Sequence, residues 1–183
     1  MDHIGEFFPD SPIWFGWLGR LAAPLFVYAL AVGFHHTRNR KKYLLRLYLA
    51  NVGMIFFNQI MHILQRKLDY VVYEPTNHNI FTTLFCAGVL ICIWENRKEK
   101  KKFLTYIGIY IFWQAMLIKL AILVETYDYL WYGNARLETV LRTDYIFPLL
   151  GGIWDVEGGV FFIALGVCLY CAVEDRWKLT LYY

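Results

Sequence analysis

The sequence predicts an all-α, polytopic integral membrane protein, and three observations carry that prediction. The 183 residues are 58% hydrophobic and 18% charged, where a soluble domain is about 45–50% apolar and about 25% charged. The apolar residues fall in blocks of roughly 17–22, the length a helix needs to cross about 30 Å of hydrocarbon. The blocks show no period-two alternation, so a membrane barrel is excluded, and helices remain as the structure that satisfies its own backbone in lipid.

Five blocks read as clear transmembrane helices. The first, 13–34, is apolar apart from Arg20. Pro24 follows four residues later and cannot donate to the Arg20 carbonyl, so a cation and a freed carbonyl share one turn. Gly16, Gly19, Ala22 and Ala23 leave room there for close helix approach. The second helix, 43–64, follows a basic loop. The third covers about 77–94, the fourth 103–124 and the fifth about 156–173. Between the last two, 137–153 is amphipathic and interrupted by Arg142, Asp144, Pro148 and Gly151-Gly152. It is too polar for a lipid-exposed span and reads as a re-entrant or interfacial element.

Loop charge orients the bundle. The segments 35–42 and 95–102 and the tail after Val173 hold eleven basic residues; the alternate side holds four, Arg66, Lys67, Arg136 and Arg142. The positive-inside rule puts the basic loops in the cytoplasm, provided that 137–153 does not cross. The four cysteines, Cys86, Cys92, Cys168 and Cys171, lie inside apolar runs and read as small packing residues, Cys168-x-x-Cys171 included. No metal-site spacing, phosphate-binding Gly-rich loop or internal repeat is present.

Polar residues converge at one depth, near the outer ends of several helices. They are Asp2, His3, Arg20, Asn58, His62, His78, Asn79, Lys119, Glu125, Asp155 and Glu157. Snorkelling to the interface accounts for a polar residue close to a helix end. Ionisable groups within a span otherwise face a cavity or one another, which marks a functional site. At the inner end, His35, His36, Thr37, Arg38, Asn39, Arg40, Lys41 and Lys42 make a compact donor-rich loop, continued by Arg46. Two readings of that loop stand side by side. It is a topology signal attracted to anionic lipid, or it is a cradle for a phosphorylated cytoplasmic molecule.

At these residues the sequence resembles the TraX-like conjugation and pilin-acetylating membrane proteins, which are distantly similar to integral membrane acyltransferases that modify polysaccharides. The resemblance rests on Asp-His-Ile-Gly at 2–5, GRLAAPLF at 19–26, GFHHTRNRKKYLLR at 33–46, NIFTTL at 79–84 and Asp-x-x-Gly-Gly at 155–159. It implies one transmembrane acyltransferase-like domain over 1–183 in a bacterial inner membrane. Such a domain transfers an acetyl group from acetyl-CoA to a pilin-like N-terminal amine or a cell-surface glycan hydroxyl. Nucleic acid is not an expected partner. In the family the Asp-His pair ends an apolar first helix, whereas here Asp2-His3 begins the chain, so a missing N-terminal helix is expected.

The resemblance also assigns roles. Acyl transfer from a thioester needs a nucleophile, a base and a donor for the developing oxyanion. His3 is the expected base. Arg20 stabilises negative charge on the thioester oxygen or holds an acidic neighbour. Asp2 and His3 point about 100° apart on a helix, so Asp155 is the better group to orient the imidazole. Asn79 is expected to donate to the acceptor or the oxyanion. His35, His36, Arg38, Lys41, Lys42 and Arg46 are expected to hold the CoA phosphates. The alternative is a non-catalytic transporter or channel-like subunit with a broken helix at Pro148–Gly152. A structural partner of a secretion machine is a third reading, one that leaves Arg20 and His3 without a role.

Overall fold

A computed structural model describes residues 14–67, 79–131, 145–154, 156 and 158–181, with backbone alone at 14–20, 61–63, 65–67, 125, 127–131 and 174–181. Every regular element among them is helical. The elements are α1 (Trp14–His36), α2 (Arg40–Lys67), α3 (Ile80–Glu95), a short 3₁₀ turn (Asn96–Lys98), α4 (Lys100–Trp131), α5 (Phe147–Leu150) and α6 (Gly159–Leu181).

All five predicted spans are helices, and most run past the apolar block that announced them. Hydrocarbon thickness limits an apolar block, whereas caps and breakers limit a helix. Helix α2 starts three residues earlier than its apolar block because Asn39 caps it, its Oδ1 accepting the Lys42 N–H at 3.0 Å. Helix α1 runs through Pro24 without ending. Two helices, Ile80–Lys98 with its 3₁₀ extension and Lys100–Val124, are long and apolar enough to cross a membrane. Leu21–His36 and Gly159–Val173 are shorter apolar stretches within the described residues.

The core is the seam where α1, α3 and α6 meet. Val27, Leu30, Ala31 and Phe34 of α1 pack with Leu84, Ala87 and Ile91 of α3 and Ile163 and Tyr170 of α6. The spacing of three and four puts each set on one helical face. Gly166 permits the approach: a Cβ there would lie 3.1 Å from Ala87 Cβ and 3.3 Å from Val27 Cγ1. Helix α2 packs on α3, and α4 touches α3 more lightly. Much of the described remainder of α4 is exposed and apolar, with Phe112 71% and Leu104 65% exposed, while Gln114, Leu117 and Ala121 are buried.

Candidate functional site

Two groups of described polar side chains stand at different levels of the bundle. Arg40 at the start of α2 reaches Glu95 at the end of α3, and His35 at the end of α1 reaches Tyr170 in the C-terminal half of α6. The two charged loops therefore share one end of the bundle, with α1, α3 and α6 parallel and α2 and α4 antiparallel to them. Asn79, at the opposite end of α3, lies about 24 Å away at 1.5 Å per residue.

At the basic end, one carboxylate joins three helices. Glu95 Oε1 pairs with Arg40 Nη2 at 2.9 Å and accepts the Tyr170 hydroxyl proton at 2.7 Å. Arg40 also donates to the Thr37 carbonyl at 2.9 Å and lies over the Phe34 ring at 5.4 Å. His35 stacks on Tyr170, with centroids 4.6 Å apart, and its Nε2 lies 3.2 Å from the Tyr170 carbonyl. Arg38, Lys41, Lys42, Arg46 and His36 remain exposed around this clasp. Lys42 and Arg46, four apart, share a face of α2. Exposed arginine and lysine on the first turns of a helix suit a phosphate, whereas His35 is occupied in joining α1 to α6.

The second level is a buried node of neutral amides. Asn51, fully buried in α2, donates from Nδ2 to the Pro148 carbonyl at 2.6 Å. Its Oδ1 accepts from Asn79 Nδ2 at 2.6 Å and from Thr82 Oγ1 at 2.8 Å. This chain has a fixed polarity. A carbonyl cannot donate, so Asn51 must turn its NH₂ to Pro148 and its oxygen to Asn79. Asn79 must then present its NH₂ to Asn51, where it also approaches the Asn51 carbonyl at 3.4 Å. Asn79 Oδ1 is left buried with no partner. The free end of Asn79 is thus an acceptor.

Beside the node, α5 ends in an irregular turn whose backbone is held by side chains. Gly151 has φ +67°, a left-handed conformation that glycine adopts without strain. Gln114 Nε2 donates to the Gly151 carbonyl at 2.9 Å, and its Oε1 accepts the Ile153 N–H at 3.1 Å. Trp113 Nε1 donates to the Leu150 carbonyl at 2.9 Å, and Cys86 Sγ approaches the Gly151 carbonyl at 3.4 Å. Helices α2, α3 and α4 each supply part of the grip. Irregular backbone among apolar helices is tolerated where protein groups satisfy it in this way; of the element expected at 137–153, residues 137–144 lie outside the described residues.

The structure brings Asn79 into the node and gathers the predicted phosphate-binding residues at the basic end. Asp2, His3 and Asp155 lie outside the described residues; Arg20 is described only as a backbone position of α1. Sequence reasoning missed Asn51, Thr82 and Gln114 in the node, and Glu95 and Tyr170 in the clasp. A lone amide inside an apolar run, as in LYLANVGMIFF and IFWQAMLI, was the available signal for Asn51 and Gln114. No group of three or more His, Cys, Asp or Glu residues placed to hold a metal occurs among the described residues. A family model described as TraX protein matches residues 1–178. No curated protein and no solved structure matches the chain.

Proposed function

The chain belongs to the TraX family, and from that premise we propose that it is a membrane-embedded acetyltransferase. It moves an acetyl group from cytoplasmic acetyl-CoA to an amine or hydroxyl acceptor, such as a pilin-like N-terminus or a cell-surface glycan. The observation that carries this reading is the family match over residues 1–178. Two levels of polar groups, one cationic and one neutral and buried, support it by offering separate places for the phosphates and the reacting groups.

In this reading α1, α2, α3, α4 and α6 span a bacterial plasma membrane with the basic loops in the cytoplasm. The bare apolar surface of α4 supports burial in lipid. A cysteine at Asn39 labelled from outside by a membrane-impermeant reagent would reverse this orientation. Arg38, Lys41, Lys42 and Arg46 attract the CoA phosphates. The acceptor nitrogen or oxygen attacks the thioester carbonyl and its proton passes to His3, which Asp155 orients. Arg20 stabilises the oxyanion, and the sulfur leaves with the proton returned by His3. Asn79 Oδ1 accepts a hydrogen bond from the attacking group.

Single-turnover transfer of labelled acetyl by the full chain in micelles tests the proposal. His3→Ala should slow transfer by about 10²–10⁴-fold with acetyl-CoA binding intact. Arg20→Lys should fail badly, because a point charge does not replace a planar fork. Arg38→Ala and Lys42→Ala should raise the KM for acetyl-CoA. Full transfer by His3→Ala removes the base. Absence of transfer by the parent chain removes the enzyme.

A further inference from the structure

The cleft between α3 and α4 holds two donors with nothing to donate to. Trp94 Nε1 is buried without an acceptor, and its ring meets Phe103 of α4 at 6.3 Å. Tyr110 OH is likewise buried and without a hydrogen bond. It lies close to Cys86 and Gln114, but Cys86 Sγ and Gln114 Nε2 are directed at the Gly151 carbonyl and Gln114 Oε1 at the Ile153 N–H. Between the Phe103 level and the Tyr110 level lie seven residues of α4, about 10 Å. Tyr110 lines a cavity of ≈ 210 Å³ together with Phe85, Cys86, Val89, Trp113, Leu150 and Gly151. The turn that joins α3 to α4 beside Trp94 and Phe103 carries Lys98, Lys100 and Lys101, all exposed, and forms a basic rim at that end of the helix pair.

These features define a ligand. The cavity is smaller than the roughly 300–1,000 Å³ of pockets that enclose whole drug-sized molecules, so it fits a slim chain and not a nucleotide. The apolar lining asks for methylenes. The two orphan donors ask for two carbonyl acceptors spaced along that chain, since a buried donor left unmade is costly. The basic rim asks for phosphate above it. A phospholipid meets only part of this: its ester carbonyls stay at headgroup level, and its acyl chain offers nothing to Tyr110. A phosphopantetheine arm, with two amides along a thin chain below a phosphate, meets all of it.

We infer that the α3–α4 cleft is the subsite for the pantetheine arm of a coenzyme A thioester, with Tyr110 and Trp94 donating to its amides. The inference rests on the acetyl-CoA reading and adds to it a path for the arm. Tyr110 and Trp94 become binding residues, and the groove leads from the basic end toward the Gly151 turn.

The test is binding to the full chain in micelles of two probes, CoA and adenosine 3′,5′-bisphosphate, which has no pantetheine arm. Tyr110→Phe keeps the ring and removes the unpartnered hydroxyl, so it should fold like the parent. It should weaken CoA binding by about three- to tenfold, the worth of one hydrogen bond, and leave the bisphosphate unchanged. Val89→Trp fills the cavity and should abolish the preference for CoA over the bisphosphate. If the parent binds CoA and neither variant changes its affinity, the cleft is not the arm's subsite. A phospholipid that co-purifies with the parent and is lost from Val89→Trp, with CoA binding intact, would assign the cleft to lipid. If the parent binds no CoA at all, the acetyl-CoA reading falls and this inference with it.

Discussion

The clasp at the basic end and the amide node at Asn79, about 24 Å away along α3, use opposite chemistry to join helices. The clasp is ionic: one carboxylate takes a guanidinium and a phenol, with Arg40 and Glu95 each 29% exposed. The node is neutral, and Asn51, Asn79 and Thr82 are each at most 2% exposed. Depth explains the difference. Near water a charge keeps part of its hydration, so an ion pair forms at little cost and gains little. Away from water a charge is prohibitive, while an amide with its bonds made is tolerated. The node therefore specifies which helices meet, since a wrong pairing leaves amides empty. The clasp tightens a bundle whose α1–α3–α6 seam is already apolar.

The largest effect expected from this contrast is at Asn51. Asn51→Leu leaves the Pro148 carbonyl, Asn79 Nδ2 and the Thr82 hydroxyl without their shared partner. A buried group left unpaired costs about 1–3 kcal/mol, a cost reduced, on the membrane-embedded reading proposed above, because the unfolded helices find other partners. A loss of about 2–4 kcal/mol is expected, read as a lower midpoint of SDS-driven unfolding in mixed micelles. Gln114→Leu, which frees the Ile153 N–H and one of two donors to Gly151 O, should cost about 1–3 kcal/mol. An unchanged midpoint for Asn51→Leu would make the node incidental.

That node also marks where the sequence stopped being legible. Composition and block length located every described long helix, because each carries a long run of apolar residues. The ends were less legible: α4 continues to Trp131, beyond any hydropathy limit, because nothing in ETYDYLW breaks a helix. Single neutral amides were passed over because hydropathy averages them away, although each stands alone in an apolar run. Glu95 and Tyr170 had no local signal. Their bond joins residues 75 apart, and only the packing of α3 on α6 puts them together. Asn79 stands out by its position at a helix start, but its orientation was not legible, since it is set by the Pro148 carbonyl two elements away.

A smaller effect separates the clasp from the node. Arg40→Gln removes the ion pair with Glu95 but leaves Tyr170 donating to the carboxylate. With both partners partly in water, the loss should be about 1 kcal/mol or less. It should shrink further at 1 M salt, where the screening length falls to about 3 Å. The Asn51→Leu loss should not respond to salt, because no net charge is involved. Unfolding midpoints of both variants at two salt concentrations check this. A salt-insensitive Arg40→Gln would mean that its contact with Phe34 matters more than its charge.

The smallest effect belongs to a pair that looks stronger on distance alone. Lys102 and Glu99 approach to 2.8 Å, closer than Arg40 and Glu95, yet their side chains are 56% and 63% exposed. The pair is three residues apart across the start of one helix, so it joins no two helices. Each long side chain gives up rotamer freedom to make a contact that water and salt compete for. The raised pKa of Lys102, caused first by the hydrogen bond to Glu99, says that the charged form is favoured in the folded chain. Its sign adds stability below the ordinary lysine pKa and loses it only as pH climbs through the raised value, well above neutrality. Across pH 5–8 the contribution is constant and screened. Lys102→Ala should therefore leave the unfolding midpoint unmoved at either salt concentration. A drop as large as that of Arg40→Gln would show that exposure does not rank these pairs, and with it the distinction between clasp and node would fail.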